Sequence, residues 1–385
     1  MRLRTAAAMA ATTAIGAGAA AVAAGRYASD FALKPSRDGA QPEAPLTVHA
    51  ADDSHVTLTR TLASARPGVY GLCGSSGSSG SPGSSGDVHA TVGDVLSTAP
   101  DSVTRSLRRT PGTPRGRLTP GAAVRLTPQA YAGDPREALG LDFDEVRIPG
   151  ELGPLPAWFL PGARDVWVIT VHGLGTTREH PLVVMAALHH RRLPVLNITY
   201  RNDAGAPRSP DGIGHLGDTE WRDLDAAMRY AVRHGARRVL LYGWSTGATM
   251  ALRAADHSPL SDRVNGLILD SPVLEWQTTL RASAAGHGVP GLLLPLAVRA
   301  AEGRTGLHAA RLADSAEPAR LRVPTLIFHG PDDTLAPWAP SRRLAAARPD
   351  LVSLHSFPGA PHAAMWNRDP HRYEETLRRF VIPLV

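Results

Sequence analysis

The sequence predicts an α/β fold, a mostly parallel, doubly wound sheet over roughly residues 140–385, and three observations predict it. Short apolar runs of strand length alternate with amphipathic stretches at helical spacing, the order that builds parallel sheets. Each run stops at a turn rich in glycine, proline or aspartate, as buried parallel strands do. One such turn is Gly243-Trp244-Ser245-Thr246-Gly247, set between the apolar run Arg238–Tyr242 and a small-residue helix that begins at Ala248.

The elements follow in order. Val166–Val171 reads as a strand ending in His172-Gly173-Leu174-Gly175, and Leu193–Tyr200 as a second strand. Asp218 to Arg233 has helical periodicity, with Trp221, Leu224, Met228, Ala231 and Val232 on one face. Trp221 and Met228 are therefore core residues, not a cofactor box. Three later apolar runs each open into a polar loop. Val264–Leu269 runs into Asp270, Val323–Phe328 into His329-Gly330-Pro331-Asp332-Asp333, and Leu351–Phe357 into Gly359-Ala360-Pro361-His362. Tyr373, Leu377 and Phe380 recur at helical spacing and pack a last helix onto the sheet. Between Asp270 and Val323 the chain inserts more than a crossover needs, including the apolar segment Pro290–Val298. A small cap over about 275–320 is one reading and a buried crossover helix the other. Trp276 and Trp338, just beyond strand ends, are candidates for pocket lining or for core.

A G-x-S-x-G at a strand-to-helix turn is a nucleophile elbow: the turn lifts the serine hydroxyl above the sheet, and the glycines leave room for neighbouring backbone. The Thr246 amide falls at a helix N-terminus, where unpaired donors and the helix dipole favour an oxyanion. A serine hydroxyl is a poor nucleophile without a base, so Ser245 requires a histidine oriented by a carboxylate, both downstream. His355 falls within a strand and His371 opens a helix, which leaves His362 as the base. Asp333 is the candidate acid, with Asp332 its direct rival and Asp270 a weaker one. An aspartate without that role is a turn residue bonding its own backbone.

These motifs resemble those of the α/β-hydrolase superfamily, over roughly residues 140–385. Within it the chain looks most like the serine aminopeptidase and acyl-esterase branch, including exported or membrane-anchored proteins of this layout from actinobacteria. The family's H-G-x-x-D-x-x-x-P pattern maps onto His329, Gly330, Asp333 and Pro337, which favours Asp333 over Asp332 as the acid. Its upstream His-Gly loop maps onto His172-Gly173-Leu174-Gly175, so the Leu174 amide would join Thr246 in an oxyanion hole. Pro361 departs from the glycine that the family often has before the histidine. The resemblance implies hydrolysis of a carboxylic ester or related acyl bond through an acyl-enzyme, on a small-molecule substrate and without a cofactor. Two alternatives are an aminopeptidase-like peptidase, which needs an acidic group for the substrate's amine, and a non-catalytic binding protein on a hydrolase scaffold.

The amino-terminal third reads differently. Arg2 and Arg4 precede a charge-free span from Thr5 to Gly25, followed by Arg26, so residues 1–26 form a signal peptide or a membrane anchor and 27–44 a linker. The catalytic domain is then expected outside the cytoplasm, with a cytoplasmic chain carrying an Ala-rich tail as the alternative. Residues 45–135 form a β-rich accessory region, with β-prone pieces at His55–Leu62, Val69–Leu72, Val88–Val95 and Ala123–Leu126. The Gly/Ser run 74–86 interrupts it as a loop.

Composition excludes more than it assigns. The formal net charge is +6, from 41 Lys+Arg against 35 Asp+Glu. Lys34 is the lone lysine, and arginines are scattered along the whole chain. The densest basic group, Arg105, Arg108, Arg109, Arg115 and Arg117, lacks interleaved aromatics and reads as a solvated linker, not a nucleic-acid groove. Cys73 is the single cysteine, which excludes an internal disulfide. No Cys/His set has zinc spacing, and His189-His190, adjacent on a helix, face different directions, so no metal is expected. Oligomeric state is not written in the sequence.

Overall fold

The computed structural model describes residues 22–30, 33–34, 43–75, 87–108, 116–306 and 317–385. Most of the predicted leader and most of the Gly/Ser run lie outside the described residues. Among the described residues, no helix is long and apolar enough to cross a membrane.

Residues 46–127 form a closed barrel of six antiparallel strands: β1 Leu46–Ala51, β2 His55–Thr59, β3 Tyr70–Ser75, β4 Asp87–Thr98, β5 Ser102–Arg108 and β6 Ala123–Thr127. Their spatial order is β1-β2-β5-β4-β3-β6, and β6 pairs back onto β1. Closure leaves no open edge on so small a sheet. Alternate residues point inward, Val56 and Leu58 on β2, Val88, Ala90 and Val92 on β4, Val124 and Leu126 on β6, and together they make the barrel core.

Strand β5 corrects the expected basic linker. Its alternation, Ser-Val-Thr-Arg-Ser-Leu-Arg, is hidden in the sequence because an arginine occupies an inward position. Arg105 is fully buried and donates five hydrogen bonds to the carbonyls of Ser64, Arg66, Gly68 and Gly93. A planar guanidinium with five donors can satisfy that many acceptors at once, which lets the charge be buried and gathers the 64–68 loop onto the barrel. Arg109 and Arg115 lie outside the described residues.

After a short helix α2, Pro135–Leu139, the second unit is an eight-stranded sheet in the order β14-β13-β12-β11-β9-β10-β8-β7. Its strands are β7 Asp144–Gly150, β8 Gly153–Leu160, β9 Val166–Val171, β10 Val195–Ile198, β11 Arg238–Trp244, β12 Val264–Asp270, β13 Thr325–His329 and β14 Val352–Ser356. β7 and β8 are antiparallel to each other and β8 to β10; from β10 to β14 every pairing is parallel. The period-2 geometry of β11 splits its apolar residues between two cores. Val239 and Leu241 pack with helices α4, Trp221–Arg233, and α5, Thr246–His257, while Leu240, Tyr242 and Trp244 pack with α3, Leu182–His189, and the C-terminal residues Tyr373 and Leu377. Helix α4 starts at Trp221, three residues later than its periodicity suggests, because Gly217 sits at φ +96° and the Glu220 carboxylate folds back onto the Gly217 amide.

The insertion after β12 holds helices α6, Trp276–Gly286, and α7, Leu294–Thr305. A third helix lies with them. Residues 22–30 form helix α1, and Ala28, Ser29 and Leu33 are fully buried, Ala28 and Leu33 in the same apolar cluster as Leu280, Ala297 and Ala301. The stretch expected as leader end and linker thus belongs to the cap in part. Its small, sparse apolar residues carry too little periodicity to reveal this. Trp276 is buried in that cluster too, and Trp338, which opens helix α8, Trp338–Ala347, sets its ring edge-on against His329.

The chain closes with helices α9, Met365–Arg368, and α10, Pro370–Val381. Asn367 joins barrel and sheet: its Nδ2 donates to the carbonyls of Val69 (2.7 Å) and Pro128 (2.9 Å), and its own carbonyl accepts the Val69 amide. Gly68 allows that approach, since a Cβ there would meet the Asn367 carbonyl oxygen at 2.2 Å. Asn367→Ala strands two buried acceptors, and a loss of about 2 kcal/mol is expected. Urea unfolding of the variant against wild type measures it.

Candidate active site

Strands β9, β11, β12, β13 and β14 all end on one edge of the sheet, where an open parallel sheet forms its crevice. At the end of β11, Ser245 adopts φ +54°, ψ −118°, a conformation that L-residues rarely hold. The surrounding glycines permit it. A Cβ on Gly243 would meet the Gly247 backbone at 2.3 Å, one on Gly247 the Val171 carbonyl oxygen at 2.4 Å, and one on Gly173 the Ser245 Cβ at 2.6 Å.

His362 lies in the loop after β14, with its Nε2 2.7 Å from Ser245 Oγ and its Nδ1 2.7 Å from Asp333 Oδ2. The carboxylate fixes the proton on Nδ1, so Nε2 accepts from the serine hydroxyl. The Asp333 side chain is buried. Its Oδ1 accepts the amides of Leu335 and Ala336, each at 2.8 Å. Burial alone would raise its pKa, but the charge of His362 and hydrogen bonds from His329 and His362 outweigh this and hold the carboxyl well below the usual range.

The rival carboxylates have other partners. Asp332 Oδ2 accepts the Gly359 amide and ties the two strand-end loops together. Asp270 is fully buried behind Ser245, where its Oδ1 accepts from Ser271 Oγ (2.8 Å) and its Oδ2 from the Tyr373 hydroxyl (2.9 Å). Tyr242 donates in turn to Tyr373 at 2.6 Å. His355 stands in β14, His371 in α10, and His189 ends α3.

Several positioning groups carry no sequence motif. Ala363, beside the base, has φ +54° and is held on both sides. Its amide donates to Ser271 Oγ and its carbonyl accepts from His180 Nε2, each at 3.0 Å. Burial pushes the His180 imidazole down to about 3, so it is neutral and carries its proton on Nε2. Behind the His-Gly loop, His172 stacks on Tyr200 and shares Asp203 with the Tyr200 amide, while the Tyr200 hydroxyl donates to the Gly173 carbonyl. These contacts orient the peptide that leads to Leu174. Ser271 and His180 are single residues in unremarkable surroundings, and only the fold brings them to Ala363.

A small pocket opens from Ser245 and Thr246 between Leu174, Leu216, Leu280 and Leu335, with Thr279 and Ser283 of α6 completing its wall. A second small pocket adjoins it through Leu174, Leu216 and Thr246 and reaches Tyr200, Asn202 and Glu220. Ser245 is 3% exposed, at the base of the first pocket. The Thr246 amide opens α5 and has no intrahelical acceptor.

Comparison with known proteins adds the lineage. A model of the prolyl oligopeptidase family matches residues 205–382. The Pyrococcus furiosus esterase Pf2001 superposes with a TM-score of 0.54 at 20% identity, covering 66% of this chain and 94% of that one. The protein is an α/β-hydrolase-fold serine hydrolase. The hydrolase is also similar to the uncharacterized protein YfhR of Salmonella typhimurium, 28% identical over 277 residues that cover 66% of this chain and 84% of that one. YfhR of Escherichia coli K12 is 26% identical over 264 residues, covering 66% and 83%. The barrel coincides with a domain of unknown function (DUF8805), matched at residues 47–127.

Two expectations follow from the geometry. Gly173→Ala places a methyl against Ser245 and displaces the Leu174 peptide, so kcat should fall about 10²-fold; ester turnover by the purified variant measures it. Asp270 supplies a pH dependence. Burial, opposed by the hydrogen bonds from Ser271 and Tyr373, pushes its carboxyl up to about 7, above its unfolded value. The folded state therefore binds the extra proton, and the associated stability is fully present below the unfolded pKa and lost as pH rises through about 7. In urea unfolding, wild type should lose stability between pH 5 and pH 8, and Asp270→Asn should lose less across the same interval.

Proposed function

We propose that the hydrolase cleaves a carboxylic ester through an acyl-enzyme, with Ser245 as nucleophile, His362 as general base and then general acid, and Asp333 as the group that holds the imidazole's tautomer and stabilises its charge. The observation that carries this reading is the unbroken hydrogen-bonded chain from Ser245 Oγ through His362 to Asp333 Oδ2, both links 2.7 Å. Ser245 attacks the carbonyl carbon while its proton passes to His362 Nε2. The oxyanion is received by the amides of Thr246 and Leu174. The imidazolium then protonates the leaving alcohol, and water, deprotonated by the same nitrogen, releases the acid.

An ester is favoured over a peptide with a free amine by the state of Glu220. It is the carboxylate that lines the adjoining cavity, yet its oxygens already accept the amides of His215, Gly217 and Thr219. The structural neighbour is itself named an esterase. The match to the prolyl oligopeptidase family favours the second reading, a peptidase. Short-chain p-nitrophenyl esters assayed beside aminoacyl-nitroanilides discriminate the two, and the ester arm is expected to dominate. We extend the proposal to export or membrane anchoring through the amino-terminal segment.

Ser245→Ala should abolish labelling by a fluorophosphonate probe and lower turnover by a factor on the order of 10⁶, with thermal unfolding nearly unchanged. Labelling that persists in this variant refutes the nucleophile. Asp333→Asn should lower kcat by about 10⁴, and Asp332→Asn should not; equal losses would remove Asp333 from its role.

A further inference from the structure

The outward side of the cap carries a pattern that catalysis does not use. Helices α1 and α7 lie side by side: a Cβ on Gly25 would meet the Leu296 carbonyl oxygen at 2.7 Å, and Arg304 Nη1 bonds Asp30 Oδ1 (2.6 Å) and Ser29 Oγ (2.8 Å). Those two contacts set the helices parallel, so the start of α1 lies beside the start of α7. At that end Val22 is 62% and Leu292 91% exposed, and one turn along α1 Tyr27 is 68% exposed. Leu292, in the turn that leads into α7, is exposed, as are Pro295 and Arg299 on α7 and Arg26 and Arg281 on α1 and α6. The carboxylates of these elements are engaged elsewhere, Asp30 by Lys34 and Arg304, Glu302 by Gln277, and Glu275 by Arg343.

We propose that this face docks on an anionic lipid surface and that the hydrolase draws its acyl substrate from it, an inference that rests on the ester-hydrolase reading. Exposed apolar side chains ringed by arginines match an acyl boundary beneath phosphate headgroups. Val22 to Gly25, at the start of α1 on this face, are also the last residues of a span from Thr5 that carries no charge. The uncharged composition of that span and the exposed face fit the same occupant. Helix α6 connects docking to chemistry, because Thr279 and Leu280 line the cavity at Ser245 while Arg281 faces outward. One helix thickness separates the lipid-facing side from the serine.

The test uses the full chain in a Cys73→Ser background. An environment-sensitive fluorophore is placed at Leu292→Cys on the cap, and in a parallel protein at Leu62→Cys, 94% exposed beside the barrel. Vesicles of equal parts phosphatidylcholine and phosphatidylglycerol should blue-shift and brighten the probe at position 292 and leave position 62 unchanged. Adding Arg26→Glu and Arg299→Glu should weaken the response at 292 about tenfold. The proposal is overturned if vesicles sediment the protein without altering the probe at 292, if both positions respond alike, or if vesicles do not bind. Fluorophosphonate labelling of the same samples separates the two readings. Labelled protein without a lipid response loses only the docking face, whereas a lipid response without labelling keeps the docking face and loses both the ester-hydrolase assignment and the drawing of substrate from the surface.

Discussion

The conformation of Ser245 is the constraint on which the rest of the site depends. A non-glycine residue at φ +54° is costly, and it persists here because three glycines interlock around it with no room for a single methyl. Gly247 lets α5 approach the ends of β9 closely, Gly243 closes the turn on itself, and Gly173 brings the upstream loop against the serine. The Ser245 amide is held by the Asp270 carbonyl of β12, and its own carbonyl accepts from Ala248 and Val273. Three strands and one helix thus fix a single turn. The elbow therefore does two things with one geometry: it presents the hydroxyl to His362 and leaves the first amides of α5 without intrahelical acceptors, where the proposed mechanism places the developing charge.

The base is fixed from farther away. His362 follows a proline and precedes a residue at φ +54°, so its loop has little intrinsic preference for the catalytic shape and takes it from its surroundings. Ser271 grips the amide of Ala363, and Ser271 is itself anchored to Asp270, which Tyr373 holds in turn with Tyr242 behind it. His180 grips the carbonyl from the other side. The barrel completes this support. Ala364 is buried in the barrel core, and Asn367 is bonded to Val69 and Pro128. Since Arg105 in turn collects the carbonyls of the 64–68 loop, a charge inside the barrel helps set the surface that the histidine loop rests on.

What the sequence reveals follows from where each signal is local. The elbow, the His-Gly loop and the parallel strands are legible because each depends on a few consecutive residues with a fixed period. Ser271, His180 and Asn367 are not, because a polar residue that acts across more than ninety positions of chain leaves no spacing to read. Arg105 misled for a related reason: an inward arginine breaks the alternation that would have marked β5, and only the four carbonyls around it explain its place. The first cap helix escaped because alanine and glycine pack against α7 by their smallness, and smallness resembles the composition of a leader.

The cap packs beside the site with unpartnered polar groups in its interior. Trp276 Nε1 and Thr279 Oγ1, both buried on α6, have no hydrogen-bond partner among the described residues. Each such group costs about 1–3 kcal/mol in a buried setting, a penalty that lifting α6 toward solvent relieves. Against this stands the apolar cluster shared by α1, α6 and α7, which favours the closed arrangement in water. The balance between the two is what an apolar surface would change. Were the outward face to dock on lipid as proposed, that contact would lower the cost of exposing the inner leucines while leaving the unpartnered donors free to find water at the interface.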